Sequence, residues 1–333
     1  MKSFLFLLVL LFAAGCCCKE IPLIEPADNA SISFVSQAQK AFTIDKSGTA
    51  DFTFPRTVPF TYQYDGTAEV QISTDKNFSN PQIFTGGKTV QISNLVPGQK
   101  YYWRAVDGTN NSSIRTFTVA KDHPRWLNVP KVTNFRDLGG LKTIDGKMIR
   151  YNMLFRGGQF EKWHKRHPTM ITPEGQKIFL ETLKIQTEID LRNNGTKIIP
   201  VPNYQRVGLI AYSRIFTPKY MERIKQIFDI LAKQENYPVY FHCQGGADRT
   251  GTLAFLIEAM LGLKYNDLAA NYELSNYSIS GKRFRTAPRW QEFVKGFEKF
   301  APGKSINEQV AAYLRQCGVT DDAQQHLKKL LLK

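Results

Sequence analysis

Between Tyr237 and Leu261 the sequence leaves room for one kind of architecture. Tyr237-Pro-Val-Tyr-Phe-His242 is β-prone and mostly apolar, and the run stops at Cys243. A short glycine-containing loop, Gln244-Gly-Gly-Ala-Asp-Arg249, follows. After Arg249 the residues Thr-Gly-Thr-Leu-Ala-Phe-Leu-Ile-Glu-Ala-Met-Leu read as a helix with little polar content, hence a buried and central one. A strand that delivers a cysteine to a loop opening a buried helix belongs in the middle of a layered α/β domain. In that geometry backbone N–H groups and the positive helix end converge on one point. They favour the thiolate of Cys243 and would hold the three oxygens of a phosphoryl group. Arg249 adds a planar fork able to clamp two oxygens, which a lysine could not reproduce.

Cys243 and Arg249 are spaced as Cys-x5-Arg, with His242 before and Thr250-Gly251 after. Together these residues resemble the signature of the cysteine-dependent tyrosine phosphatase superfamily. The resemblance extends to Asn134-Phe-Arg-Asp-Leu-Gly-Gly140, Leu154-Phe-Arg-Gly157, Ile189-Asp-Leu-Arg192 and Asn271-Tyr-Glu-Leu-Ser-Asn276, which stand in the family order. It is that of the bacterial branch of tyrosine and lipid phosphatases and covers residues 126–280. Two positions depart from the branch. Ala247 stands where it often has Lys, and Asn193-Asn194-Gly195 where a Glu is common.

The resemblance implies attack by Cys243 on phosphorus, with Gln244, Gly245, Gly246, Ala247, Asp248 and Arg249 holding the phosphate. It implies that Thr250 hydrogen-bonds the Cys243 sulfur, that His242 orients the loop, and that Arg136 and Asp137 support the site. Neither metal nor other cofactor is required. Many members of the superfamily protonate the leaving group from an Asp on a loop some thirty residues before the cysteine. Residues 191–221 here contain no Asp or Glu, so that loop cannot serve. The candidates are Asp248, in the phosphate loop, and Asp190, at the end of its strand. Asp248 is favoured because the resemblance implies the loop Asp as the acid and because it adjoins Arg249; the competing role is structural, holding Arg249 or the loop amides for Asp248 and pairing with an arginine for Asp190. His164-Lys-Arg-His167 has a metal-like spacing, but its intervening cations oppose a metal.

Around this segment the sequence alternates between helix and strand. Thr172-Pro173-Glu174 starts a helix with Phe179, Leu180 and Leu183 on one face, and the strand 185–191 follows. An apolar strand is expected around 207–211. Thr217-Pro218 opens a helix with Tyr220, Ile224, Ile227, Phe228 and Leu231 at helical spacing. The expected domain, residues 124–333, is a central sheet flanked by helices, with the site at the carboxyl end of a central strand.

Charge separates this domain from what precedes it. Residues 21–123 carry nine basic and nine acidic side chains, whereas residues 124–333 carry 33 and 19, most of the chain's net charge of +15. A basic back half suits an anionic partner. The stretch Tyr277–Gln291 holds Lys282, Arg283, Arg285 and Arg289 and no acid, either a rim for an acidic substrate or a solvated basic face. No groove-reading motif accompanies the charge, so no nucleic acid partner is expected.

Residues 21–121 read as short strands with turns at Asp65-Gly66, Gly86-Gly87 and Pro97-Gly98. They fit an all-β immunoglobulin-like or fibronectin III-like sandwich. Leu95, Pro97 and the strand Tyr101-Tyr102-Trp103 resemble the fibronectin type III turn into its sixth strand, with Tyr101 as the tyrosine-corner residue. The expected role is a spacer or docking module.

At the N-terminus, Lys2 and the apolar run from Phe4 to Ala14 are too short to span a bilayer and suit a secretory signal. Ala13-Ala14-Gly15-Cys16 resembles a bacterial lipobox, implying a signal peptide over 1–15, a lipidated Cys16 and a linker over 16–20. The expectation is an exported, membrane-anchored bacterial lipoprotein, periplasmic or on the cell surface. Of the five cysteines only Cys243 and Cys317 lie in the body of the chain, so the fold rests on its core rather than on a disulfide framework.

The expected function is a phosphatase acting on phosphate monoesters through a phosphocysteine, with phosphotyrosine protein as substrate. Ala247, in place of the lysine that would favour highly charged phosphoinositides, underlies that choice. Hydrolysis of a phosphoinositide, an inositol phosphate or another anionic phosphorylated small molecule is the alternative. A non-catalytic phosphate-binding surface protein is a further one, against which the intact Cys243, Asp248 and Arg249 argue.

Overall fold

The computed structural model describes residues 20–41, 50–108, 110–162 and 170–333. The signal segment with Cys16 and the pair His164 and His167 lie outside them. The chain forms two compact units, and they are not consecutive stretches of sequence. Among the described residues, one falls within 1–32, 58–92 and 99–118 and the other within 33–57, 93–98 and 119–333. The second unit therefore includes three pieces of the stretch expected to form the sandwich, 33–57, 93–98 and 119–121. Among the described residues no helix is long and apolar enough to cross a membrane.

The first unit contains β1 (Leu23–Glu25), β2 (Ala30–Ile32), β3 (Val58–Tyr62), β4 (Glu69–Ser73), β5 (Gln82–Phe84), β6 (Thr89–Ile92), β7 (Lys100–Asp107), β8 (Asn110–Asn111) and most of β9 (Arg115–Val119). They make two sheets, β1-β3-β6 and β2-β9-β7-β4-β5, with β8 paired to β7. Burial alternates along β3 and β7, as expected of strands with one face in a core. Phe60 of β3 meets Trp103 of β7 edge-on at 5.1 Å and Phe117 of β9 at 5.2 Å, so one aromatic cluster joins the sheets. Tyr101 is buried and stacks on Phe117.

The second unit is an α/β domain. After α1 (Gln37–Ala41) come β10 (Arg136–Asp137), β11 (Leu154–Gly157), α2 (Pro173–Lys177), β12 (Thr187–Asp190), β13 (Asn203–Arg206), α3 (Pro218–Leu231), β14 (Val239–His242), α4 (Asp248–Leu261), α5 (Tyr265–Glu273), α6 (Pro288–Lys295), α7 (Ile306–Gln316) and α8 (Asp321–Leu331). The sheet order is β10-β11-β14-β12-β13, parallel except for β10. β14 is thus the central strand, and all four of its residues are buried, as in a sheet covered on both faces.

Side-chain alternation on the central strands feeds two cores. Leu154, Val239 and Phe241 point into one with Ile224, Ile227 and Phe228 of α3, most of α4, and Val310 and Leu314 of α7. Phe155 and Tyr240 point into the other with Phe135, Phe160, Phe179 and Leu183. Helix α2 starts where expected, with Thr172 Oγ1 accepting from Gly175 N, and one π-helical turn, Ile178–Thr182, extends it to place Phe179.

One strand is displaced from its expected position. Residues 203–206 form β13, whereas the apolar run 207–211 lies beyond it. β13 is an edge strand, so its half-exposed residues are polar and carry no apolar signal. Val207 and Leu209 still dock beside β12 through bonds to Asp190 O and Leu191 O, and their side chains fill the core.

Residues 50–57 pack onto the α/β unit as a strap. Asp51 Oδ2 accepts from Thr133 Oγ1 at 2.5 Å, Thr53 Oγ1 accepts from Asn134 N at 2.9 Å, and Phe52 N donates to Tyr277 O at 2.7 Å.

Candidate active site

Cys243 follows the last residue of β14, and α4 begins five residues later. Between them the loop's carbonyls are tied to the surrounding protein. Gln244 O accepts from Gln159 N at 3.0 Å, and Gly245 O from Asn134 Nδ2 and Ser280 Oγ, each at 3.3 Å. Gly246 O accepts from Asn134 Nδ2 at 3.0 Å and from Arg156 Nη2 at 2.9 Å, and Ala247 O accepts from Gly251 N. In a planar trans peptide the C=O and the next N–H point opposite ways. Carbonyls held outward at 244, 245 and 246 therefore turn the amides of Gly245, Gly246 and Ala247 to the inner side of the loop. Those amides and the N-terminus of α4 form a concave anion-binding surface. Gly246 is essential to the turn: its φ is +66°, and a Cβ there would come within 2.5 Å of the Gly157 backbone.

Behind the loop lies a buried, charged scaffold. Arg136 donates to Asn271 Oδ1 and Asn271 O and to Asn134 Oδ1, so the Asn-Phe-Arg-Asp segment is locked to α5 and to the phosphate loop at once. Arg156 and Arg136 are essentially without exposure, and Glu258 of α4, which accepts from Asn271 Nδ2, is their acidic neighbour. Burial pushes Glu258 up to about 7, against the pull of both arginines, and brings Arg156 down to about 10. Glu258 and Cys243 oppose that lowering of Arg156. Burying two guanidinium groups is costly unless they are bonded, and here their bonds run to the loop and its supports. Asp137 faces away from the site: it accepts from Arg125 Nη1, Gly139 N and Asn152 N, and burial raises its carboxyl despite Arg125.

His242 also points into the protein. Its ring stacks on Tyr240, Nε2 lies 3.0 Å from Glu188 Oε1, and Nδ1 lies 3.3 Å from Cys243 O. Asp190 is fully buried, with both oxygens bound by Arg192 and one also by Tyr204. Burial raises its carboxyl, but the Arg192 bonds outweigh this and hold it below the usual range. Glu188, Asp190 and His242 are the one grouping among the described residues with enough ligand-type atoms close together for a metal. Asp190 is held by Arg192 and Tyr204, and Glu188 Oε1 is engaged with His242, while Glu188 Oε2 has no partner among the described residues.

Asp248 sits at the first turn of α4 and faces outward. Arg283 grips it with a planar fork, Nε to Oδ1 at 2.8 Å and Nη2 to Oδ2 at 2.7 Å. The Tyr212 hydroxyl donates to Oδ1 and meets the Tyr272 hydroxyl at 2.9 Å. Burial raises the Asp248 carboxyl, but Arg283, Tyr212 and the charge of Arg289 together hold it below the usual range. Arg249 is half-buried, and a long contact of 3.5 Å to Leu191 O is its one hydrogen bond among the described residues. Gln244 is exposed and Ala247 buried.

Two expectations change. Thr250 Oγ1 is buried and bonds neither the Cys243 sulfur nor any other described atom. The basic stretch is also less free than its composition suggested, because Arg283 is paired with Asp248 and Arg285 with Glu273. Asn134, Arg156, Glu188 and Tyr212 were not among the expected site residues. Asn134 and Arg156 lie inside recognised motifs, whereas nothing in the sequence marks Tyr212 or Glu188.

A cysteine between a central parallel strand and a buried helix, beside a loop with its carbonyls turned out, defines a phosphatase-like α/β fold. The chain belongs to the tyrosine phosphatase family, whose model matches residues 127–333. It is 28% identical over 175 residues to a Cupriavidus necator protein named as a tyrosine-protein phosphatase, covering 44% of this chain and 61% of that one. It is 35% identical over 99 residues to a tyrosine-protein phosphatase of Nostoc commune, covering 24% of this chain and 34% of that one. In both cases the match spans less than two thirds of the relative's own length. A solved structure, the core catalytic domain of the PP-IP phosphatase SIW14 from S. cerevisiae in complex with citrate, aligns with a TM-score of 0.31 at 16% identity, covering 43% of this chain and 78% of that one.

Proposed function

We propose that the protein is a phosphatase that hydrolyses phosphate monoesters through a phosphocysteine, with protein phosphotyrosine as its substrate. The observation that carries this is the set of outward-bonded carbonyls from Gln244 to Gly246, which turns consecutive amides to the side where an anion would sit beside Cys243. Cys243 Sγ, as thiolate, attacks phosphorus, and the bond from phosphorus to the ester oxygen breaks. Asp248, protonated, gives its proton to the departing oxygen. Water then attacks phosphorus as the S–P bond breaks, Asp248 takes the water's proton, and phosphate leaves. The loop amides and Arg249 hold the charge on the equatorial oxygens. His242, Asp190, Arg136 and Asp137 act through the scaffold by holding strand ends and loop. Thr250 is assigned to sulfur departure, which requires its hydroxyl to turn toward Cys243 once that residue is charged.

Export as a lipoprotein anchored through Cys16 is supported by the run Phe4–Ala14 and the small residues before the cysteine. Incorporation of labelled palmitate that is lost in Cys16→Ala tests it. A fibronectin III-like role for the first unit is supported by its two sheets sharing the cluster around Phe60, Trp103 and Phe117.

The test is para-nitrophenyl phosphate hydrolysis by residues 21–333 with reductant and chelator, beside Cys243→Ser and Asp248→Asn. Activity that survives chelation and vanishes in Cys243→Ser is expected. Asp248→Asn should lower turnover of phenyl phosphate by about 10²–10⁴-fold. Hydrolysis that persists in Cys243→Ser would mean another nucleophile. A phosphotyrosine peptide set against a soluble phosphoinositide decides the substrate class.

A further inference from the structure

The carboxylate best placed to protonate the leaving group is tied up. Arg283 takes both oxygens of Asp248 in a bidentate pair, and the Tyr212 hydroxyl takes one of them again. A carboxylate gripped in this way is an acceptor and has no proton to give. From the elements packed around it, Asp248 faces Arg283 on the loop before α6, Tyr212 before α3, Tyr272 on α5 and Arg289 on α6, whose guanidinium lies 5.3 Å from the centroid of the Tyr212 ring. No other carboxylate is within that set.

The pair is also within reach of a substrate. Side-chain exposure is 15% for Arg283 and 34% for Asp248, and the loop carrying Arg283 touches the phosphate loop through Ser280 Oγ to Gly245 O. The neighbouring cation Arg285 is bonded to Glu273, a carboxylate outside the phosphate loop, whereas the partner of Arg283 lies within it. Arg283 hangs from its own loop, with Nη1 donating to Ser280 O and Gly281 O. Just before it, Gly281 and Lys282 both have φ of +43°, an unusual conformation for lysine that a loop keeps only when surrounding contacts impose it.

We propose that Arg283 is a specificity-determining latch: a second phosphoryl group carried by the substrate near the scissile one takes the guanidinium from Asp248 and frees that carboxyl to act as general acid. A phosphoryl dianion offers more charge and a third oxygen than the carboxylate it displaces, and its geometry suits the same fork. With Arg283 turned to the second phosphate, Asp248 takes a proton from solvent and passes it to the ester oxygen as the P–O bond breaks. Substrates with one phosphate leave the latch closed and turn over slowly when their leaving group is poor. This rests on the phosphocysteine reading with Asp248 as acid.

The experiment measures kcat and KM at neutral pH for phenyl phosphate, a peptide with one phosphotyrosine, the same peptide with two adjacent phosphotyrosines, inositol 4-phosphate and inositol 4,5-bisphosphate. Each is run with wild type, Arg283→Gln, Arg283→Lys and Cys243→Ser. In wild type, at least one bisphosphate should exceed its monophosphate parent by about tenfold or more in kcat/KM, since one unit of acid pKa is a tenfold change in protonated fraction. Whether peptide or inositol shows the preference identifies the source of the second phosphate. In Arg283→Gln that preference should disappear through a raised KM, while kcat on phenyl phosphate rises several-fold and its basic limb moves to higher pH. Arg283→Lys, which keeps the charge and loses the fork, should fall between them. No bisphosphate preference in wild type overturns the latch, and that arm needs no variant to fold. Equal loss on mono- and bisphosphates in both Arg283 variants overturns it too and leaves a purely structural ion pair. Hydrolysis persisting in Cys243→Ser overturns the underlying reading and the latch with it.

Discussion

His242 Nε2 lies 3.0 Å from Glu188 Oε1, and neither side chain has any exposure. The two sit on adjacent parallel strands, with Asp190 opposite His242 in the register of β12 and β14. The imidazole N–H donates to the carboxylate, and the other ring nitrogen faces Cys243 O. Glu188 Oε2 has no partner among the described residues, and leaving such an atom buried costs about 1–3 kcal/mol. The pair therefore serves placement more than stability: it fixes the ring that fixes the strand end beneath the nucleophile.

Glu188→Gln keeps an oxygen for the imidazole and should fold with stability close to wild type. Glu188→Leu leaves His242 without its acceptor, so the expected cost is about 2–4 kcal/mol in urea unfolding. Turnover should fall about tenfold with little change in KM, because loop placement is disturbed and not substrate contact. Equal losses in both variants would show that the charge matters and the bond does not.

Asn134 spends one amide on two carbonyls of the phosphate loop. Asn134→Ala leaves Gly245 O with Ser280 and Gly246 O with Arg156, so the loop keeps its fold while losing a restraint that joins two of its carbonyls. Expected losses are about 1–3 kcal/mol of stability and about 10–100-fold in kcat/KM. A phosphate analogue such as vanadate should weaken in parallel. Unchanged vanadate affinity would separate the asparagine from loop geometry.

What could be read from the sequence was local. The strand, cysteine, loop and helix from Val239 to Leu261 are contiguous, and the helix Pro218–Leu231 buries Ile224, Ile227, Phe228 and Leu231 at the spacing that marks it. The scaffold could be read only in part, because its bonds join residues far apart: Asn134 to Gly246 across 112 positions, His242 to Glu188 across 54. The same distance hid the latch. Arg283 was visible as one of several cations in a basic stretch, but its partner lies 35 residues away and Tyr212 lies on the far side of β14 in sequence. β13 was missed for a different reason, since an edge strand made of Asn203, Tyr204, Gln205 and Arg206 has no apolar alternation to detect.

The strap over residues 50–57 makes its own prediction. Thr53 is buried, and its hydroxyl accepts from the backbone of Asn134, next to the amide that holds the phosphate loop. The segment 124–333 expressed without residues 33–57 would leave Thr133 and Asn134 N without those partners. It should unfold at lower temperature than residues 21–333 by several degrees, about 1–3 kcal/mol. Thr53→Ala in the longer protein should reproduce part of that loss. Identical melting of both lengths would mean the strap is not energetically coupled to the catalytic unit.

Asp190 sets the acid sensitivity of the sheet end. Arg192 holds its carboxyl below the usual 3.8 in spite of burial, and Glu161 shares the same guanidinium at 2.8 Å. A carboxyl lowered on folding contributes stability that is fully present above its unfolded value and is lost as pH falls through its folded one. Asp190→Asn should therefore cost roughly 3 kcal/mol at neutral pH, the low end for breaking a buried pair because Glu161 remains. The gap between wild type and variant should stay constant down to about pH 4 and narrow below it, as wild type protonates and loses the same interaction. Chemical unfolding from pH 3 to 7 measures this directly. A gap that widens on acidification would mean that folding raises the Asp190 carboxyl above its unfolded value, and the strand-end role assigned to it would have to be given up.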